Sequence, residues 1–507
     1  MVSNLAHNMS AYAELESRFA RLGALAEAEG VLHWDMSVMM PSGGVAARAE
    51  QLAALKVTRH ELLTRADMGE LLERAQGEAA GLDGWQRANL REMRRAWTSA
   101  VALPADLVAA LSKACSASET VWRAARPAAD FTMLLPSLEE VLRLTREKAQ
   151  ALGAARGLAP YDALLDQHEP GARATRIDEL FAGLARFLPD FIDRVLEKQA
   201  REPRPVPPQG PFPAAAQRAL GQELMRAIGF DFAHGRLDES AHPFSAGVPE
   251  DVRITTRYDE GDFARGLMGV LHETGHALYE RGLPAAWRRQ PVGEARGMAL
   301  HESQSLLLEM QACRSRGFLE FAAPLMAKAF NGTGPAWDAG NIHRLYTRVE
   351  RGFIRVDADE ATYPAHVILR YRLERALVAG DLKLAGLPAA WNAGMKELLG
   401  VAPPDDRLGC LQDIHWPDGA WGYFPTYTLG AMAAAQLYRA ARRADPDVAP
   451  GIARGDFKPL LAWLGANVHA KASLLSTDEL LTQATGAPLS DAAFKAHLKA
   501  RYLDGEG

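Results

Sequence analysis

Two histidines four residues apart, with a glutamate directly after the first, carry the clearest chemistry in this chain: residues 271–277 read L-H-E-T-G-H-A. On a helix, that spacing stacks the imidazoles of His272 and His276 on one face, where both can bind a single tetrahedral metal ion. Glu273 falls at the edge of the same face, from which a carboxylate can take a proton from a metal-activated water. With 14 histidines in the chain, H-E-x-x-H arises by chance about 0.03 times. The alternative reading is two histidines packed on an ordinary helix. A catalytic metal needs a third protein ligand and an open position. Glu302, in H-E-S-Q and followed by Leu306–Leu308, offers a carboxylate on a second helix. A continuation as H-x-x-G-x-x-H does not fit, because residues 277–282 read ALYERG. His301 adjoins Glu302, so on a helix it points about 100° away and is not expected to bind the same ion.

Downstream, I-R-V-D-A-D at 354–359 follows Arg348 and Arg351. A fixed guanidinium grips a carboxylate bidentately, and by residue type alone Arg348, Arg351 and Arg355 are equal candidates. Asp357 and Asp359 are expected to orient neighbours. In G-C-L-Q-D-I-H-W at 409–416 and the W-G-Y-F-P-T-Y that ends at Tyr427, His415, Tyr423 and Tyr427 can donate hydrogen bonds to a developing oxyanion. Gln412 and Asp413 are expected to hold this loop, and Trp416, Trp421 and Phe424 to pack in the core. In D-V-R-I-T at 251–255, strand alternation puts Asp251, Arg253 and Thr255 on one face. A structural Asp251–Arg253 contact is favoured there over pairing with a substrate backbone. His242 either lines the site or packs in the core.

The elements that must position these groups are mostly helical. Apolar residues recur three and four apart over 11–32, 49–74, 177–199, 214–228, 363–379 and 430–443, the amphipathic helix pattern. The clearest strand is 252–258, VRITTRY, and one small sheet inside a helical body is expected. Six prolines between 203 and 213 forbid helix there and read as a surface linker between an N-terminal helical part of about 1–200 and a metal-binding part of about 214–507. The composition is that of a globular protein, 48% apolar and 24% charged. Its net charge of −6 argues against a nucleic-acid binder. No apolar run is long enough for a membrane span and no signal peptide is visible. Three scattered cysteines suit a reducing, cytoplasmic setting. Length alone suggests roughly three domains.

Taken together, the stretches at 251–255, 272–276, 301–304, 354–359 and 409–416, with W-D-M-S-V-M-M-P-S-G-G at 34–44 and Arg48 and Gln51 beyond it, resemble the Taq-type thermostable metallocarboxypeptidases in order and over nearly the whole chain. The resemblance implies a mainly α fold. It predicts one large helical body with a deep active-site cleft and a small β-sheet near the H-E-x-x-H helix, thus a single catalytic unit over 1–507. It implies removal of single residues from the free C-terminus of short peptides, and a homodimer. His272, His276 and Glu302 would hold zinc, although cobalt or manganese suits the same donors. Glu273, His415 and Tyr427 would be catalytic. Arg355 would bind the terminal carboxylate, with Arg348 and Tyr423 as further substrate contacts. An oligopeptidase or dipeptidyl carboxypeptidase on the same fold is the alternative.

Overall fold

A computed structural model describes residues 10–505 except 242; the expectation for His242 lies outside the described residues. Among those residues, twenty α-helices surround a single three-stranded sheet. Three expected helices lie within Ala174–Arg201, Ala214–Ile228 and Tyr363–Ala379, and the last within Pro425–Ala444. The first runs on to Val38. It carries Trp34 and Asp35 to a turn, where Arg48 of the next helix pairs with Asp35 (2.7 Å) and donates to the Leu32 carbonyl (2.8 Å). Arg48, which also donates to Gln51 at 3.0 Å, thus ties the second helix back to the first.

The helix expected over 49–74 is two, Val45–Leu63 and Met68–Gly77. At the break between them, Asp67 takes two hydrogen bonds from Arg18 of the first helix (3.1 and 2.7 Å). Met68, Leu71 and Leu72 then bury against Leu15 and Phe19 in a small N-terminal core. Periodicity continued through the break, and the tertiary pull on Asp67 and Met68 overrode it.

The sheet holds β1 (Gly235–Glu239), β2 (Ser245–Val248) and β3 (Asp251–Thr256) in the order β1-β3-β2. β3 pairs parallel with β1 and antiparallel with β2, in register Leu237↔Ile254 and Ser245↔Ile254. Val252 and Ile254 bury against Val270 and Ala277 of helix Phe263–Arg281, which fixes the sheet beside the H-E-x-x-H segment. On the other face, Arg253 is bidentate with Asp251 (3.0 and 2.6 Å) and lies 4.3 Å over the Trp34 ring. That is the structural contact expected for D-V-R-I-T. The strand stops at Thr256 because Asp259 and Gly261 turn the chain toward Asp262, which caps the next helix.

One apolar core runs from Ala125 to Tyr502 without a division at the prolines. The Pro-rich stretch runs along the surface and is pinned there. Asn341 holds the Val206 backbone on both sides (2.8 and 2.9 Å), and Phe212 is 2% exposed among Phe263, Phe330 and Trp337. No single helix among the described residues is long and apolar enough to cross a membrane. Replacing Phe212 by Ala should therefore lower stability by about 3–5 kcal/mol. Val206→Ala, at an exposed point of the same stretch, should stay within about 0.5 kcal/mol. Denaturant midpoints that move equally little for both would show the stretch to be a mere tether.

Candidate metal centre

Helix Phe263–Arg281 starts at Asp262, whose carboxylate accepts from the Ala264 and Arg265 amides. Its buried side holds Leu267, Val270 and Leu271, and it presents His272 and His276 with ring centroids 5.0 Å apart. Helix Met298–Leu306 crosses it at Gly275. A Cβ at that glycine would sit 2.5 Å from the Gln304 carbonyl oxygen and 2.6 Å from the Ser305 Cα, so only glycine lets the two backbones touch. The contact brings Glu302 Oε2 to 3.4 Å from His276 Nε2 and 3.8 Å from His272 Nε2. The three donor atoms lie within 4.8 Å of one another. Bonds of about 2.0–2.2 Å to one tetrahedral ion require such a spread. From the far side, Gly430 of helix Pro425–Ala444 leaves room for the Glu302 side chain, where a Cβ would stand 2.8 Å away.

Both imidazoles are held from behind. His272 Nδ1 meets Glu309 Oε2 at 2.9 Å, and Glu309 accepts from Arg314 at 2.5 Å. His276 Nδ1 meets His301 Nδ1 at 2.6 Å, and His301 Nε2 meets Glu280 at 2.9 Å. Each chain of contacts leaves Nε2 of its histidine turned toward Glu302, the arrangement that orients ligating histidines generally. His301 stands outside the three-donor group, with both ring nitrogens engaged. Its place behind His276, and that of Glu309 behind His272, were missed in the sequence. Glu309 is seven residues after Glu302 and lies in the widened π turn Leu307–Cys313. The i, i+7 spacing of the two glutamates was the signal available.

The electrostatics favour a cation here. Burial alone would raise the Glu302 carboxyl, but His272 and His276 pull it down to about 2. Burial would lower His272, yet Glu302 and Glu309 raise it to about 10. A site that holds a proton so firmly on an imidazole between carboxylates supplies the charge that a divalent cation would balance. Glu273 is 8% exposed, and its Oε2 accepts from Ser245 of β2 at 2.6 Å.

A second cluster gathers around Arg355, which is 4% exposed. Its guanidinium donates to Asp413 (3.0 and 2.8 Å) and to the Tyr363 hydroxyl (2.6 Å), and its backbone N–H donates to Gln412. Arg370 takes the other oxygen of Asp413 at 2.6 Å. Two guanidiniums on one carboxylate leave a net positive charge. Gln412 and Asp413 therefore hold Arg355, more than the loop itself. Arg348 is a correction: 45% exposed and paired with Glu350 (2.5 Å), it walls a surface groove with Pro203 and Pro205 and does not join the cluster. Arg351 turns outward to Asp193. Asp357 pairs with Arg265 and Asp359 accepts the Glu350 and Thr362 amides, so both orient neighbours as expected.

Around Arg355 stand His415, Tyr423, Tyr427 and Tyr363. His415 Nε2 meets the Tyr427 hydroxyl at 3.1 Å, and Arg355 lies 5.0 Å over the Tyr427 ring. Burial, with Arg355 and Arg370 nearby, lowers His415 to about 4 despite Asp413, so the ring is neutral at pH 7. Burial raises the Tyr423 and Tyr427 hydroxyls, with Glu302 adding to both and Glu273 to Tyr423. They are protonated donors within the field of the metal site. Tyr363, which has no place among the expected site residues, sits six positions after Asp357 and starts a helix.

The chain matches the family model described as carboxypeptidase Taq (M32) metallopeptidase over residues 14–502. Thermostable carboxypeptidase 1 of Thermus thermophilus is 42% identical over 493 residues, 95% of each chain. The namesake from Pyrococcus furiosus is 34% identical over 97% of this chain and 98% of its own. Among solved structures, Trypanosoma cruzi metallocarboxypeptidase 1 superposes with a TM-score of 0.96 at 42% identity, covering 98% of this chain and all of that one. With the fold, the order of the motifs and the full-length match in agreement, the chain belongs to the carboxypeptidase Taq (M32) metallopeptidase family and is a metallocarboxypeptidase.

Proposed function

We propose that this enzyme releases single amino acids from the free C-terminus of short peptides, as a cytoplasmic homodimer using zinc held by His272, His276 and Glu302. The observation that carries this reading is the buried Arg355, kept cationic by Asp413 and set among the same tyrosines that feel Glu302. The donor set His₂Glu suits zinc, and the three cysteines are buried and free, in keeping with a reducing compartment. Bound there, the ion would supply Lewis acidity and a water acidic near pH 7.

The chain's own residues do the rest. Arg355 and Tyr363 take the terminal carboxylate, so one residue lies beyond the scissile bond. Glu273, steadied by Ser245, takes the proton of the attacking water on Oε1 or Oε2 and passes it to the leaving nitrogen. The His415–Tyr427 pair and the Tyr423 hydroxyl donate to the oxyanion. A neutral His415 fits this role, because it adds a donor without another buried charge beside Arg355 and Arg370.

Glu273→Gln should retain one metal per chain and lose about 10²–10⁴-fold in kcat; undiminished turnover in the metal-loaded variant would reject the base. Arg355→Met leaves Asp413 paired with Arg370, so the fold should survive. It should cost at least about 2–5 kcal/mol in kcat/KM on free-carboxyl peptides, with little change on amidated ones. Equal losses on both, or dipeptides as the products of the native enzyme, would reject the register. For His415, the unfolded chain takes a proton near 6.5 and the folded protein only near 4. Its contribution to stability is therefore complete above pH 6.5 and declines as pH falls through 4. The Tm gap between native enzyme and His415→Gln should narrow over that window, and a gap that widens would show the ring to be charged in the fold.

A further inference from the structure

Helix Tyr363–Ala379 carries Tyr363, Arg370 and Glu374 along one stripe, seven and then four residues apart. The first two serve the Arg355–Asp413 cluster. Glu374, fully buried, serves another partner. Its Oε1 accepts from the Gly422 N–H (2.6 Å) and the Tyr161 hydroxyl (2.8 Å), and its Oε2 from the Trp416 indole N–H (2.7 Å). No cation pairs with it among the described residues, and its neighbour Arg375 turns to Asp178. Burial pushes the carboxyl up to about 7, against the pull of the three donors. Burying a carboxylate without a counter-ion is costly, and two of the three bonds it makes go to a single loop.

That loop presents the polar groups of the candidate site. Trp416 directly follows His415, and Gly422 directly precedes Tyr423. Between them the chain closes on itself. Ala420 N–H donates to the His415 carbonyl (2.7 Å), Asp418 N–H to that of Ile414 (2.9 Å), and the Trp416 and Trp421 rings stack at 5.5 Å. Gly422 has a φ of +87°, and a Cβ there would stand 2.8 Å from the Leu164 backbone, so the loop is seated closely at this end. We propose that Glu374 is a positioning residue for the reaction: by holding the loop at Trp416 and Gly422, it sets His415 and Tyr423 where they donate to the oxyanion. Three converging donors need a group that only accepts. A carboxylate does so, whereas an amide in its place would turn its NH₂ against the Trp416 or the Gly422 N–H. The anchoring stands on the hydrogen bonds alone. Its effect on the rate rests on the oxyanion roles given above to His415 and Tyr423.

Glu374→Gln keeps the shape of the side chain and removes one acceptor. It should lower kcat at least about 10-fold and leave KM within about twofold, because Arg355, Asp413 and Tyr363 keep their contacts. Zinc affinity, read by chelator competition, should not move. Trp416→Phe, which withdraws one donor, should show the same split. The double variant should lose no more than Trp416→Phe alone, since the amide can then turn its oxygen to Gly422 with no N–H opposed. Hydrogen exchange should quicken over residues 415–424 in Glu374→Gln and stay as in the native enzyme over 269–276. Unchanged exchange over 415–424, additive losses in the double variant, or a raised KM in place of a lowered kcat would each overturn the positioning role. If exchange quickens and kcat holds, His415→Gln decides between the two readings. A kcat loss in that variant would overturn the part of Glu374 in catalysis, and an intact kcat would strike the oxyanion reading on which that part rests.

Discussion

The metal centre depends on how closely two helices approach at Gly275. The motif helix can stack two imidazoles by itself, but the third donor comes from another helix and must arrive within a few ångströms. A methyl group at Gly275 would meet the Gln304 carbonyl and the Ser305 Cα, and pushing the helices apart would draw Glu302 back from His272 and His276. Gly430 repeats the device on the third helix, which closes over Glu302. Metal geometry tolerates only a few tenths of an ångström in its bond lengths, so these small residues set the site as much as the ligands do.

Once the helices touch, buried charge has to be balanced. The imidazoles rest on Glu309–Arg314 and His301–Glu280, and the arginine cluster on one shared carboxylate. Removing Asp413 would leave two guanidiniums facing each other in an apolar surround, a loss on the order of 3–5 kcal/mol or more. The same balance leaves the cluster with a net positive charge, because two cations share one anion. Gly409–Trp416 thus holds Arg355 through Gln412 and Asp413 and meets the Tyr427 hydroxyl through His415.

Particular residues show where the sequence was legible. Helices with steady periodicity, such as 214–228 and 363–379, run over the expected residues and close at the left-handed Gly229 and Gly380. The break at residues 64–67 was invisible because its Asp67 is held by Arg18, 49 positions away. The prolines forbade helix, as read, but nothing local revealed that Phe212 plugs an aromatic core. Arg348 and Arg355 are the same residue type seven apart. Only the path of the chain turns one toward Asp413 and the other toward Glu350 and solvent.

What the sequence determined by itself is the chemistry that local geometry encodes. A four-residue spacing on a helix commits two imidazoles to one face, a neighbouring glutamate stands at the edge of that face, and alternation on β3 sends Val252 and Ile254 inward. The tertiary structure alone decided which distant groups meet those residues: Glu309 and His301 behind the ligands, Ser245 on Glu273, Tyr363 and Asp413 on Arg355. Helical and strand periods are properties of the backbone over a few residues. Partners brought in from tens or hundreds of positions away depend on how whole elements pack, and no short window of sequence carries that information.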